Sequence, residues 1–133
     1  MSLRKKRRVR VRWKKVGGLK GLRGVGSGEV FALVIGGVLL YIGSVQGDLE
    51  ESVRKVLGRK YPDGRKIPRN IKVYIGETLN APESIRRSVA ALLVALLQPP
   101  WNLPEEGDYR GEVPIEVRNE GEVPPGIKDT LSL

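Results

Sequence analysis

The stretch that decides the fold is EVFALVIGGVLLYIGS, residues 29–44. Two β-rich runs, residues 30–35 and 38–42, flank the dipeptide Gly36-Gly37. A two-residue connection of this kind is typical of a tight β-hairpin, because primed turns require positive φ angles that glycine adopts without cost. Both runs are apolar throughout, so we expect two strands that are buried on both faces.

The residues after the hairpin predict a short amphipathic helix. Asp48 is a good N-cap, Glu51 stands three residues later as in a capping box, and Gly58 is placed to end the helix. Its apolar face would consist of Leu49, Val53, Val56 and Leu57. Residues 71–75 then alternate as a third strand.

A second helix is predicted to begin at Pro82 and to stop before Pro99-Pro100. It carries a wide apolar stripe that we expect to pack on the hairpin sheet, formed by Ile85, Val89, Leu92, Leu93, Leu96 and Leu97. The order hairpin, helix, strand, helix predicts a small α+β domain over residues 28–102.

These motifs resemble the GIY-YIG nuclease superfamily. Residues 29–33, the Tyr41-Ile-Gly-Ser44 sequence before the first helix, and Pro99-Pro-Trp-Asn102 after the second are similar to that family's motifs in order and spacing. The resemblance covers about 75 of the 133 residues, from 28 to 102. It implies the fold of that family and, for an intact member, metal-assisted cleavage of a phosphodiester.

The resemblance also implies that the catalytic groups are missing. The family's first-motif tyrosine falls on Phe31, its phosphate-stabilising arginine on Ser52 and its metal-binding glutamate on Ala90, so that Tyr41 is what remains of the usual set. A phenyl ring cannot move a proton, and alanine cannot bind a hard cation. We therefore expect a protein that is no longer an enzyme, with no catalytic residue, no metal and no cofactor.

One enzymatic alternative stays open from the sequence, a structure-specific endonuclease with a rearranged site around Tyr41, Arg54 and Glu77.

The chain has no cysteine and no histidine, which excludes thiol and imidazole catalysis, disulfides and zinc knuckles. The acidic stretch at residues 105–108 lacks the spacing of metal ligands and is interpreted as a solvated turn. The low content of thermolabile residues is typical of a thermophile.

The positive charge of the chain is concentrated at its N-terminus. Residues 1–24 hold 11 of the 24 basic residues and no acid, which leaves 13 bases against 15 acids, a net charge of −2, for the rest of a chain whose total is +9. Apolar and basic residues alternate over 9–13, but six glycines follow between 17 and 28, a density that argues against a packed strand. We expect residues 1–27 to be a basic arm that is unstructured by itself.

This composition predicts binding to nucleic acid, with the arm as the main contact and a second, smaller basic patch over residues 54–72. Trp13 has two interpretations, stacking on a base or an arginine, or filling a hydrophobic site. The predicted RNA-binding residues are Arg4, Lys5, Lys6, Arg7, Arg8, Arg10, Arg12, Trp13, Lys14, Lys15, Lys20, Arg23, Arg59, Lys60, Arg65 and Lys66.

Residues 103–133 contain eight acids, three bases and four prolines, so we expect an irregular acidic extension with at most one short strand at residues 113–117.

A basic arm that becomes ordered on contact with its ligand suits a large folded RNA. The sequence thus predicts a cytoplasmic RNA-binding protein, ribosomal or ribosome-associated, with no membrane partner. Neighbouring proteins would meet the acidic extension, and a DNA-binding or protein-interaction module is the alternative that remains.

Overall fold

The computed structural model describes residues 6–25, 28–64 and 66–133, which form one six-stranded sheet with two α-helices. The elements in chain order are β1 (Arg7–Gly17), β2 (Val30–Ile35), β3 (Val38–Ser44), α1 (Leu49–Lys60), β4 (Ile71–Leu79), α2 (Glu83–Leu97), β5 (Ile115–Gly121) and β6 (Thr130–Ser132). Short 3-10 turns occupy Leu19–Gly21 and Pro104–Gly107. The strands lie in the order β3-β2-β4-β1-β5-β6, so the predicted α+β class is confirmed.

The hairpin at the start of the domain forms as predicted. The expected burial on both faces holds for most of β2 but is wrong for the first half of β3, where Val38 is exposed and Leu39 and Leu40 are half-buried. Strands β2 and β3 are antiparallel, and Ile35 faces Val38 across the turn. Gly36 and Gly37 have φ angles of 58° and 76°, the left-handed values that a primed two-residue turn needs. Among the described residues, no helix is long and apolar enough to cross a membrane.

Helix α1 covers one side of the sheet. The Asp48 side chain accepts a hydrogen bond from the Glu51 backbone N–H at 2.7 Å, as the capping prediction requires. The prediction that Gly58 ends the helix is wrong, because α1 continues to Lys60 and the Tyr61 N–H still bonds to the Leu57 carbonyl. The buried face of α1 meets the odd-numbered side chains of β2 and β4.

Helix α2 covers the other side of the sheet, which confirms the predicted packing. It follows Pro82 and ends where Gln98 turns left-handed, with φ 48°. The buried side chains of α2 contact the even-numbered residues of β2 and also the apolar residues of β1 and β5. The sheet therefore separates two cores, one under each helix.

The expectation that residues 1–27 are an unstructured arm is wrong for Arg7–Gly17. This segment is strand β1, antiparallel to β4 on one side and parallel to β5 on the other. Val9, Val11 and Trp13 are at most 1% exposed, and the Trp13 indole N–H donates to the Asn119 side-chain oxygen at 2.9 Å. The alternation of apolar and basic residues gives the strand one buried face, and the glycines begin only where it ends.

The expectation of an irregular C-terminal extension is also wrong for much of residues 103–133. The expected short strand begins later and is longer, as β5, and β6 pairs with it at the sheet edge. Ile115 and Val117 are fully buried against the α2 side of the sheet. The three predicted segments, 1–27, 28–102 and 103–133, thus each contribute at least one strand to the same sheet.

The β3 edge of the sheet is covered by the chain that follows α2. The Asn102 side-chain oxygen accepts from the Ile42 N–H at 3.0 Å, and its amide nitrogen donates to the Ile42 carbonyl at 2.8 Å. The Trp101 N–H donates to the Leu40 carbonyl at 2.9 Å. These bonds take the place of a neighbouring strand and keep the edge from pairing with another chain.

Candidate nucleic-acid interface

An open cleft of about 520 Å³ lies between α1, the second half of β3 and the middle of α2. Each helix lines it with one face, because the contributing side chains follow the helical spacing of three, four and seven residues. From α1 and α2 these residues are Ser52, Lys55, Val56, Arg59, Arg87, Ala90, Ala91 and Val94. Two alanines on α2 leave the space that larger side chains would fill.

Glycine shapes the floor of the cleft at the end of β3. A Cβ atom on Gly43 would lie 2.6 Å from the Tyr41 ring and 2.9 Å from the Phe31 ring, so glycine alone leaves room for both. The two ring centroids are 5.8 Å apart with a tilt of 39°. Both rings line the cleft, together with Ser52 and Ala90. The four positions on which the resemblance places the family's catalytic groups therefore share one cavity.

The Tyr41 hydroxyl is fixed by two partners. It donates to a Glu106 carboxylate oxygen at 2.6 Å, and it accepts a long hydrogen bond from the Arg59 guanidinium at 3.4 Å. Burial and the Glu106 carboxylate raise the pKa of Tyr41 to about 12, against the opposing effect of Arg59. The hydroxyl thus stays protonated at neutral pH and is a poor proton acceptor.

The residues present do not fit the divalent metal that the resemblance implies for an intact member. Ala90 supplies no ligand, and Glu106 is the single carboxylate among the lining residues. Both of its oxygens are engaged, one by Tyr41 and the other by the Leu103 N–H at 2.7 Å. No group of three acidic or other metal-binding side chains occurs within the described ranges.

Three cationic side chains line the cleft instead. Lys55 is exposed and makes no ion pair with any residue that the structure describes. Arg59 reaches the Tyr41 hydroxyl, and Arg87 pairs with Glu83 on the outer surface of α2 at 2.8 Å. Because that last pair is more than 70% exposed at both ends, it holds Arg87 only weakly. The cleft is therefore suited to an anion.

A second depression of about 720 Å³ continues the cleft past the start of α2. It shares Ser44, Gln46 and Arg87 with the cleft and adds Arg86 and Glu29, among others. The Glu29 carboxylate accepts from the Thr78 N–H and lies 3.8 Å from Arg86. The two depressions together form a groove, which fits a chain-like ligand better than a compact one.

Strand β1 displays its basic residues on the face opposite Val9, Val11 and Trp13. Three of them face glutamates of the acidic segment on β5, at 3.9 Å for Arg8–Glu116, 2.9 Å for Arg10–Glu120 and 3.8 Å for Arg12–Glu120. The N-terminal bases and the C-terminal acids therefore partly neutralise each other. This pairing leaves less of the charge of β1 for an external polyanion than the sequence indicated.

The other predicted RNA-binding residues are spread over several surfaces. Trp13 is buried and fills a hydrophobic site, so the base-stacking interpretation is wrong for it. Lys60 and Lys66 are exposed near the C-terminal end of α1, and Lys6 donates to the Ser132 hydroxyl. Exposed side chains at the end of β1 and after it are Lys14, Lys15, Lys20 and Arg23. Arg7 is half-buried, whereas Arg4, Lys5 and Arg65 lie outside the described residues.

The structure does not bring together the alternative catalytic set of Tyr41, Arg54 and Glu77. Arg54 pairs with Glu50 on the exposed side of α1. Glu77 lies on β4 opposite Arg12, and neither residue lines the cleft. The acidic partner of the tyrosine is Glu106, so the interpretation of residues 105–108 as a solvated turn is wrong for this side chain.

A local signal for Glu106 was available in the sequence. Leu103-Pro104 followed by a glutamate three residues on is the start pattern of a helical turn, with Pro at its first position. In the structure this turn is Pro104–Gly107, and its Glu106 reaches back to the Leu103 N–H. The other carboxylate oxygen of Glu106 accepts from Tyr41 on β3. This contact depends on tertiary packing, and no sequence pattern indicates it.

Comparison with known proteins finds no matching family model, no similar curated protein and no similar solved structure. The relation to the GIY-YIG superfamily thus stays a prediction.

Proposed function

We propose that this protein binds RNA in the groove between α1, β3 and α2 and does not cleave it. The observation that supports the proposal most is the composition of the cleft. Lys55, Arg59 and Arg87 surround a cavity in which the positions expected for catalysis carry Phe31 and Ala90 instead. Cations can hold a phosphate. The one carboxylate among the lining residues, Glu106, already accepts hydrogen bonds at both oxygens, so it has no free oxygen with which to activate water.

The dimensions of the groove favour one strand over a double helix. A volume of about 520 Å³ is in the range of small-molecule sites, roughly 300–1,000 Å³, so the cleft would take one or two nucleotides. Single-stranded loops and ends, whose bases are unstacked, are the usual targets of proteins that recognise RNA. RNA is proposed over DNA because unpaired loops and ends are common in folded RNA, with a ribosomal or other ribonucleoprotein particle as its setting and the cytoplasm as its place.

The binding test uses two charge-matched double variants of the full chain. Lys55→Ala/Arg59→Ala removes two cations from the cleft, and Arg10→Ala/Arg12→Ala removes two from the β1 row that faces Glu120. If the cleft cations neutralise two phosphates of a single strand, their loss should lower affinity about 25-fold at 0.1 M salt and reduce the salt slope by about 1.4. The β1 variant should lose less.

The probe is a labelled ten-nucleotide RNA followed by fluorescence anisotropy, with DNA of the same sequence and an RNA duplex alongside. A larger loss in the Arg10→Ala/Arg12→Ala variant would move the interface to β1 and overturn the cleft proposal. Equal binding of the DNA strand would refute the preference for RNA. Recovery of the endogenous protein in RNA-rich particles would support the ribonucleoprotein setting, and its recovery with DNA or with protein alone would contradict it.

A further inference from the structure

Trp101 is held in a fixed position beside the strand that lines the cleft. Its backbone N–H bonds to the Leu40 carbonyl, and the side chain of Asn102 holds both backbone groups of Ile42. Tyr41 lies between Leu40 and Ile42 on β3 and lines the cleft. Residues 101 and 102 are thus bound to the same short stretch of β3, residues 40–42, from which Tyr41 lines the cleft.

The ring of Trp101 is half-buried and has an aromatic and a cationic neighbour. Tyr61 meets it edge-on, with centroids 6.0 Å apart and an interplanar angle of 69°. The Lys60 ammonium lies 5.6 Å from the ring centroid. Lys60 is exposed, and an ammonium group keeps its hydration where it can. An exposed, flexible side chain therefore covers one face of the half-buried ring.

Adjacent residues of α1 link this ring to the cleft. Arg59 extends to the Tyr41 hydroxyl, whereas Lys60 extends to Trp101. A flat aromatic face next to a track of cations is the arrangement by which proteins hold single-stranded nucleic acid, because bases stack on the ring while phosphates meet the cations. Buried Trp13 has no such surroundings.

We infer that Trp101 stacks one unpaired base of the strand whose phosphates lie in the cleft. This inference rests on the proposed function and adds the class of ligand, a single strand with at least one unstacked base. The base takes the place of Lys60 over the indole, and the lysine turns to a neighbouring phosphate. Every base has a flat face, so the contact is tolerant of sequence.

The test compares a ten-nucleotide oligouridine with an abasic ribose-phosphate oligomer of the same length. Wild type should bind oligouridine about 5- to 150-fold more tightly than the abasic oligomer, the range found for loss of one stacked base. Trp101→Ala should bind both at the abasic level, and Trp101→Phe should recover part of the difference. Lys55→Ala/Arg59→Ala should weaken both oligomers alike.

Fluorescence gives a readout that a merely structural role of Trp101 would not move. Oligouridine should quench wild type, and the quenching should vanish in Trp101→Phe, whose remaining indole, Trp13, is buried. If wild type binds both oligomers equally and is not quenched, the stacking inference is wrong while the phosphate site stands. If wild type binds neither oligomer, the proposed function fails as well.

Discussion

Strand β1 yields the sharpest test of the fold, because the same segment is either a core strand or a loose basic arm. Val11 is fully buried between β4 and β5, and its neighbour Arg12 points to solvent. Val11→Ala removes two buried carbon groups, each worth roughly 0.8 kcal/mol, and leaves a cavity, so we expect a loss of about 2–3 kcal/mol in the free energy of unfolding. Arg12→Ala should cost less than about 1 kcal/mol.

Both variants would be unfolded in guanidinium chloride and followed by far-ultraviolet circular dichroism. The loss in Val11→Ala should appear as a lower midpoint with an unchanged m-value, since the variant exposes the same surface on unfolding. If Val11→Ala unfolds within about 0.5 kcal/mol of wild type, residues 7–17 are not part of the core and the interpretation of β1 is refuted. Removal of residues 1–17 should, for the same reason, abolish cooperative unfolding.

The remaining predictions concern the cleft and the edge of the sheet. Tyr41 should titrate at about pH 12 in a spectrophotometric titration. Because its pKa in the folded protein is above the unfolded value of 10, the stability that it contributes is complete below pH 10. That contribution is lost as the pH rises through 12. Asn102→Ala should cost about 1–3 kcal/mol in a denaturant titration, because the backbone groups of Ile42 lose their partners at a covered edge. Gly43→Ala should lower the thermal midpoint measured by circular dichroism, since the added Cβ meets the Tyr41 ring; an unchanged midpoint would contradict the close packing of the floor. Purified protein should leave single-stranded, branched and flapped substrates intact with Mg²⁺ or Mn²⁺ in a gel assay, and metal-dependent cutting that disappears in Tyr41→Phe would disprove the non-catalytic proposal.

The middle of the chain could be predicted from sequence because its signals are local. The Gly36-Gly37 turn, the Asp48 cap and the apolar stripe of α2 each act within a few residues, and each was found where expected. The end of α1 was missed by two residues, since Gly58 is tolerated inside a helix whose last turn continues to Tyr61.

The two ends of the chain were mispredicted because their structure depends on distant partners. The alternating pattern around Val11 is that of a strand with one buried face, but the glycines that follow it and its high charge favour an unstructured arm. Strand β1 forms because β5 pairs with it. Glu116 and Glu120 of β5 form ion pairs with its arginines, and Ile115 and Val117 complete the core beside it. The partnership of Tyr41 with Glu106 has the same origin and left no periodic signal.

The position of β1 inside the sheet sets the order in which the chain can assemble. Trp13 and its hydrogen-bond partner Asn119 are separated by 106 residues, and the last neighbour of β1 is also the last long strand to be synthesised. Until β5 is synthesised, the backbone N–H and C=O groups on one side of β1 are unpaired and could bond to a strand of another chain. Charged side chains on the strand reduce this risk of aggregation. The arginines at positions 8, 10 and 12 would keep such an unfinished chain in solution, and pairing of distant segments makes slow folding the expectation. Their glutamate partners, Glu116 and Glu120, lie on β5, the same strand that pairs with the free side of β1.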